Sequence, residues 1–311
     1  MSTGWVFLCP GQGSQSVGMG KALYDASARA RDLIDSANDV LGVDLKSIAF
    51  EGPEEELKKT VNTQPAMFVM DVVVATLLRE KGVTPVMTAG HSLGEYAACV
   101  VAGTLSYEEG LTLTRLRGDL MYRAGLERPG AMAAVLGLEA SAVEAVLDTI
   151  SGIVVPANLN TPKQIVISGE VDAVEAALPK LKEAGAKRAL LLPVSGAFHS
   201  PLMEPAAAGL TEALRAASFA TAEVPVVANV SARPLTRGDE IRDALVAQLT
   251  GQVRWSESMA GLLEAGHGRF VETGPGKALS GMLKQIDRAA EVRNVDDPEA
   301  VTAFAAEALG S

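Results

Sequence analysis

The sequence predicts an α/β fold in two parts, a large region of alternating strands and helices and a smaller unit inserted within it. Apolar runs of strand length alternate with segments of helical period along most of the chain. Glycine and proline clusters separate them, as at Pro10-Gly11-Gln12-Gly13 and Gly90-His91-Ser92-Leu93-Gly94. From about Gly130 to Pro193 the rhythm changes to strand, helix, strand, strand, helix, strand, the ferredoxin-like order, expected as a compact inserted subdomain.

Trp5 to Cys9 reads as a short buried strand that runs into the Pro10 to Gln15 loop, and helical period follows from Met19 to Leu41. A helix is expected from Gln64 to Lys81, closed by Gly82, then a strand from Val86 to Ala89. The turn at Ser92 leads into helical Leu93 to Val101, ended by Gly103. The inserted unit comprises strand Ala131–Leu138, helix Ala140–Ile150, strands Val154–Asn158 and Ile165–Ser168, helix Asp172–Ala184 and strand Arg188–Leu192. Beyond it come strand Pro225–Val230, helices Glu240–Leu249 and Ser256–Ala265, and strand Arg269–Glu272. The resulting division is a discontinuous large domain, 1–128 and 197–311, with 129–196 inserted.

Bulk properties exclude several functions. With 311 residues and 48% hydrophobic composition the chain can bury a sizeable core. The longest apolar runs are shorter than the ~18 residues of a membrane span, and the Met1-Ser2-Thr3-Gly4-Trp5 start lacks a basic region ahead of an apolar stretch, so no membrane association is expected and the expected compartment is the cytoplasm. A net charge of −11 argues against a nucleic-acid partner. Cys9 and Cys99 lie in apolar runs and read as small buried hydrophobes, and no cluster has metal-ligand spacing. Gly11-Gln12-Gly13-Ser14-Gln15-Ser16 lacks the last glycine of a dinucleotide fingerprint, and Ala22 stands where a phosphate loop needs Ser or Thr. No cofactor is expected.

Gly90-His91-Ser92-Leu93-Gly94 fits the G-x-S-x-G nucleophile elbow, with Ser92 at an exposed bend between strand and helix. The free N–H of Leu93 and the dipole of the following helix could hold an oxyanion there. Serine needs a base, and the chain has three histidines. His91 adjoins Ser92 and reads as a packing residue, His267 sits in a Gly-flanked surface turn, and His199 remains. Arg117, by residue type alone, would be a surface helix arginine.

Pro10-Gly11-Gln12-Gly13-Ser14-Gln15, Thr63-Gln64-Pro65-Ala66, Gly90 to Glu95, Arg115-Leu116-Arg117-Gly118 and Gly196-Ala197-Phe198-His199-Ser200 together resemble, in order and spacing, the motif series of the malonyl-CoA:acyl carrier protein transacylases. Glu272-Thr273-Gly274-Pro275-Gly276 fits as well. The resemblance implies an α/β-hydrolase-like large domain with a ferredoxin-like insert, and a ping-pong transfer of malonyl from malonyl-CoA to the phosphopantetheine thiol of an acyl carrier protein. It implies Ser92 as nucleophile, His199 as base, and the N–H groups of Gln12 and Leu93 as oxyanion hole. Arg117 would clasp the malonyl carboxylate, and the backbone carbonyl of Gln248 would orient His199 in place of a triad acid. Gln64 and Asn160 match positions near the cleft, and Phe198 resembles the bulky residue that precedes the histidine in malonyl-selective members. Two departures stand out: Thr250-Gly251-Gln252 where a proline often precedes Val-Arg-Trp, and Cys9 in place of an aromatic. A serine esterase or thioesterase is the alternative enzyme class, although such enzymes usually place the histidine late in the chain. A noncatalytic module is the other alternative, which intact Ser92, His199 and Arg117 oppose.

Overall fold

A computed structural model describes residues 4–194 and 196–310. Met1, Ser2 and Thr3 of the amino-terminal reading, Ser195 of the 129–196 segment, and Ser311 lie outside the described residues. Strands β1 (Trp5–Cys9), β2 (Pro85–Gly90), β7 (Val226–Val227), β8 (Pro234–Leu235), β9 (Arg269–Thr273) and β10 (Glu291–Val295) form a sheet of order β10-β9-β1-β2-β7-β8. Every pairing in it is parallel except β7 with β8. Strands β3 (Gly130–Leu136), β4 (Val154–Thr161), β5 (Gln164–Glu170) and β6 (Arg188–Leu191) form an antiparallel sheet of order β4-β5-β3-β6. Helices Ala140–Leu147 and Val171–Glu183 complete the chain order β–α–β–β–α–β and enclose a separate apolar core around Val143, Ile167, Val174 and Leu181.

Local chemistry moves several element boundaries from their expected places. The single helix expected from Met19 to Leu41 is two, Lys21–Ala26 and Ala28–Leu41, because Ser27 turns extended and caps the second by accepting from the Ala30 N–H. The strand expected over 225–230 is only Val226–Val227: beyond it the Ala228 N–H donates to Arg233 O and the chain turns, which takes Asn229 out of the ladder. Helices Tyr107–Glu127, Glu204–Ala216, Ala278–Ile286 and Pro298–Gly310, with β10, are additions to the elements expected from the sequence.

The helix Thr60–Glu80 begins four residues before Gln64 and has Pro65 inside it. Proline lacks the N–H that would bond Val61 O, and Arg115 Nη1 donates to that carbonyl instead, at 3.0 Å. A Cβ on Gly118 would lie 2.7 Å from Thr60 O, so glycine there lets helix Tyr107–Glu127 approach this one closely. Thr60–Glu80 has the length and hydropathy of a membrane span, but 89% of its apolar window is buried in the protein, as befits a core helix. Among the described residues no other helix passes that test.

The two sheets are joined at one edge. Leu159 N–H donates to Val253 O at 2.9 Å and Val253 N–H to Ala157 O at 2.8 Å, a parallel bridge that ties β4 to the segment after Gln248. The C-terminal ends of β1, β2 and β7, level with one another in the large sheet, thus face the open face of the small one. Crevices at strand C-terminal ends are where open α/β sheets bind ligands.

Candidate active site

A cleft of about 370 Å³ lies between the two sheets. The large sheet contributes Gly11, Gln12, His91, Ser92 and Leu93, and the small sheet Met132, Ala134, Asn160, Gln164 and Val166. Gln64 and Arg117 enter from the helices Thr60–Glu80 and Tyr107–Glu127, and Phe198 and His199 from the loop after β6.

Ser92 sits at φ 52°, left-handed backbone that an L-residue adopts at a cost of about 1–2 kcal/mol. The flanking glycines are obligatory. A Cβ on Gly90 would lie 2.0 Å from Gly94 C and O, and one on Gly94 2.0 Å from Cys9 O. Strand β1, the turn and the helix Gly94–Val101 are packed with no room for a methyl group.

Ser92 Oγ is 2.7 Å from His199 Nε2 and accepts from Arg117 Nη2 at 3.0 Å. His199, 4% exposed and itself at φ 58°, donates from Nδ1 to the carbonyls of Gln248 at 2.9 Å and Gly251 at 3.1 Å. Two carbonyls therefore fix the tautomer that leaves Nε2 free to accept the serine proton. Burial, and then the Arg117 charge, push the imidazole pKa down to about 3, so it is neutral at pH 7 and able to act as a base. Among the described residues no carboxylate bonds this histidine.

Arg117 is 1% exposed, which overturns the surface position expected from residue type. Its guanidinium donates to Gln64 Oε1 at 2.8 Å, Ser92 Oγ at 3.0 Å and Gln248 Oε1 at 3.1 Å, and lies over the Tyr96 ring. Gln64 is held in turn by donation to Met121 Sδ at 3.1 Å. Gln12 is half-buried and Leu93 buried, and among the described residues neither backbone N–H donates to a protein acceptor. Asn160 Oδ1 is 2.8 Å from His91 Nε2, so His91, whose ring also packs edge-on to Trp255, lines the cleft as well as packing. Phe198 is 7% exposed, its ring folded over Gly196. His267 does not line the cleft, and Cys9 and Cys99 are buried free thiols.

Two buried residues of this site escape the sequence reading. Asn229, after β7, accepts from Ser92 N–H at 2.7 Å and donates to Gly90 O at 2.7 Å. Glu95 accepts from Gln248 Nε2 at 2.7 Å and from Asn229 N–H at 3.3 Å, and burial raises its pKa to about 7. Glu95 stands in the motif after Gly94 and was visible as a residue without a role; Asn229 carries no local signal.

An elbow serine on a neutral imidazole, with Gln12 and Leu93 lining the same cleft, defines a site of the acyl-transfer class. The acyl transferase domain family matches residues 6–302. The chain is 47% identical over 298 residues to the malonyl CoA-acyl carrier protein transacylase of Bacillus subtilis, across 95% of this chain and 94% of that protein. Among solved structures, the acyl-carrier-protein S-malonyltransferase from Bartonella henselae aligns with a TM-score of 0.95 at 39% identity, over 99% of this chain and 100% of that one. A malonyl-transacylase in complex with a type II PKS acyl-carrier protein aligns at 0.94 with 40% identity, over 98% and 99%. The chain belongs to the acyl transferase family and is an acyltransferase.

Proposed function

We propose that this acyltransferase moves malonyl from malonyl-CoA to the phosphopantetheine thiol of an acyl carrier protein through a malonyl ester of Ser92. The observation that carries the reading is a buried guanidinium, Arg117, whose hydrogen-bond acceptors are all neutral oxygens. A cation held within 3.0 Å of the nucleophile by two amide oxygens is a socket for the free carboxylate of a dicarboxylic acyl group.

In the first half-reaction His199 Nε2 takes the Ser92 proton as Oγ attacks the thioester carbonyl, and the N–H groups of Gln12 and Leu93 hold the oxyanion. Collapse breaks the C–S bond, and the departing coenzyme A thiolate takes the proton from His199. The carrier thiol then repeats the sequence in reverse: His199 removes its proton, sulfur attacks the ester, and Ser92 leaves with the proton restored. Arg117 keeps the acyl group oriented throughout, which favours a thiol delivered along the cleft over random water. Gln64 and Asn160 line the path of the substrate, Gln248 orients His199 through its carbonyl, and Phe198 restricts space beside the acyl α-carbon. Each step uses this chain, its substrate and the partner's pantetheine.

The names of the relatives support this donor and this acceptor. The strand orders support an α/β-hydrolase-like large domain, 1–128 and 197–311, with a ferredoxin-like insert, 129–196. The cytoplasm is the compartment that fits. Exposed Lys182, Lys187 and Arg188 on the insert are basic positions for an acidic carrier against the net charge of −11. The test is intact-protein mass spectrometry after mixing with malonyl-CoA, then with a pantetheinylated carrier. One malonyl group should appear on the wild type, none on Ser92→Ala, and the carrier should remove it faster than water. Release only as free malonate would make the protein a thioesterase instead.

A further inference from the structure

We infer that Asn229 is a positioning residue that holds Ser92 in its left-handed conformation, an inference that rests on Ser92 being the nucleophile. Strained backbone of this kind persists only where its surroundings over-determine it. Strand β2 ends at Gly90, so the Ser92 N–H has no ladder partner, and Gly90 O points past the end of the ladder. The one side-chain amide of Asn229 satisfies both, with Oδ1 2.7 Å from Ser92 N and Nδ2 2.7 Å from Gly90 O. It brackets the turn on either side of His91 as a neighbouring peptide unit would.

The clamp is itself fixed from several directions. Asn229 is 2% exposed, its N–H donates to Glu95 Oε2 at 3.3 Å, and its carbonyl accepts from Arg254 N–H at 2.9 Å. Two residues earlier, Val227 pairs with Ala89 of β2. Gln248 Nε2 holds the other end of the serine by donating to Ser92 O at 2.8 Å, and donates to the same Glu95 oxygen at 2.7 Å. Ser92 is thus gripped at its N–H by Asn229 and at its carbonyl by Gln248, and both grips share Glu95. Without Asn229 the turn relaxes toward negative φ, and Oγ leaves the positions 2.7 Å from His199 Nε2 and 3.0 Å from Arg117 Nη2. Asn229 touches no substrate, so its removal should slow chemistry and leave donor binding alone.

The experiment measures single-turnover modification of Ser92 in Asn229→Ala and Asn229→Asp by malonyl-CoA and by an uncharged alkyl fluorophosphonate, scaled to the folded fraction. Asn229→Ala should slow both reagents by the same factor, on the order of 100-fold, with KM for malonyl-CoA unchanged. Asn229→Asp keeps the acceptor for Ser92 N–H but not the donor to Gly90 O, so it should lose less; it also serves if the alanine variant does not fold. A lowered melting temperature with an unchanged rate per folded molecule would overturn the inference, as would a loss confined to malonyl-CoA. If the wild type accepts the phosphonate but not malonyl-CoA, the donor assignment fails while the phosphonate arm still decides the role of Asn229.

Discussion

Replacing Arg117 with alanine should collapse the preference for a malonyl over an acetyl donor. The guanidinium can offer Nη1 and Nη2 to a carboxylate as a two-point, charge-assisted pair, and each such bond is worth about 1.5–3 kcal/mol. The gross loss is then about 3–6 kcal/mol. Binding the carboxylate, however, displaces the Gln64 and Gln248 oxygens now at 2.8 and 3.1 Å, so the net effect belongs at the lower end. At 1.4 kcal/mol per decade, malonylation of Ser92 should slow by about 10²–10³-fold. Acetyl-CoA has no carboxylate to lose and should keep most of its rate. Quenched single-turnover reactions read by intact mass give both rates on one protein preparation. An equal fall with both donors would refute the carboxylate assignment and make the 3.0 Å bond from Arg117 to Ser92 Oγ the sole function of the residue.

Three further outcomes follow from the site. Ser92→Gly should be more stable than Ser92→Ala by about 1 kcal/mol in chemical denaturation, because glycine relieves the left-handed strain at φ 52° while both lose the adduct. Gly94→Ala drives a methyl group to 2.0 Å from Cys9 O and should cost about 3 kcal/mol or more, read as a lowered denaturation midpoint. Glu95 titrates near 7 against an ordinary 4.5, so its contribution is fully present below 4.5 and is lost as pH rises through about 7. Glu95→Gln should therefore gain on the wild type by about 1.4 kcal/mol between pH 6 and 8.5, read by chemical denaturation at the two pH values. His199, lowered from 6.5 to about 3, acts with the opposite sign: its contribution is present above 6.5 and is lost as pH falls toward 3.

The parts of this site that can be read from sequence are those set by neighbours along the chain. Gly90 and Gly94 announce the elbow because the steric demand is local, and the β–α–β–β–α–β order follows from apolar runs a few residues long. By residue type alone Arg117 reads as a surface residue, since nothing within a turn of it shows that the face carrying Gly118 packs on Thr60 O, and only the resemblance of its motif placed it in the site. Arg115 illustrates the same limit, since its role is to fill a carbonyl that Pro65 leaves open on another helix. Asn229 meets Ser92 across 137 positions, and inside the run Pro225–Val230 it reads as one more strand residue. β7 is only two residues long because the chain turns at Ala228, whose N–H donates to Arg233 O.

The bridge between Asn158 and Val253 has a mechanical consequence. The segment that carries Val253 also carries Gly251, whose carbonyl bonds His199 Nδ1, and the Gln252 amide donates to Pro156 O at 3.0 Å. One short stretch of chain thus grips the small sheet with one hand and the imidazole with the other. Rocking the small sheet would therefore tug on the imidazole, so this joint ties the position of His199 to that of the sheet across the cleft from it.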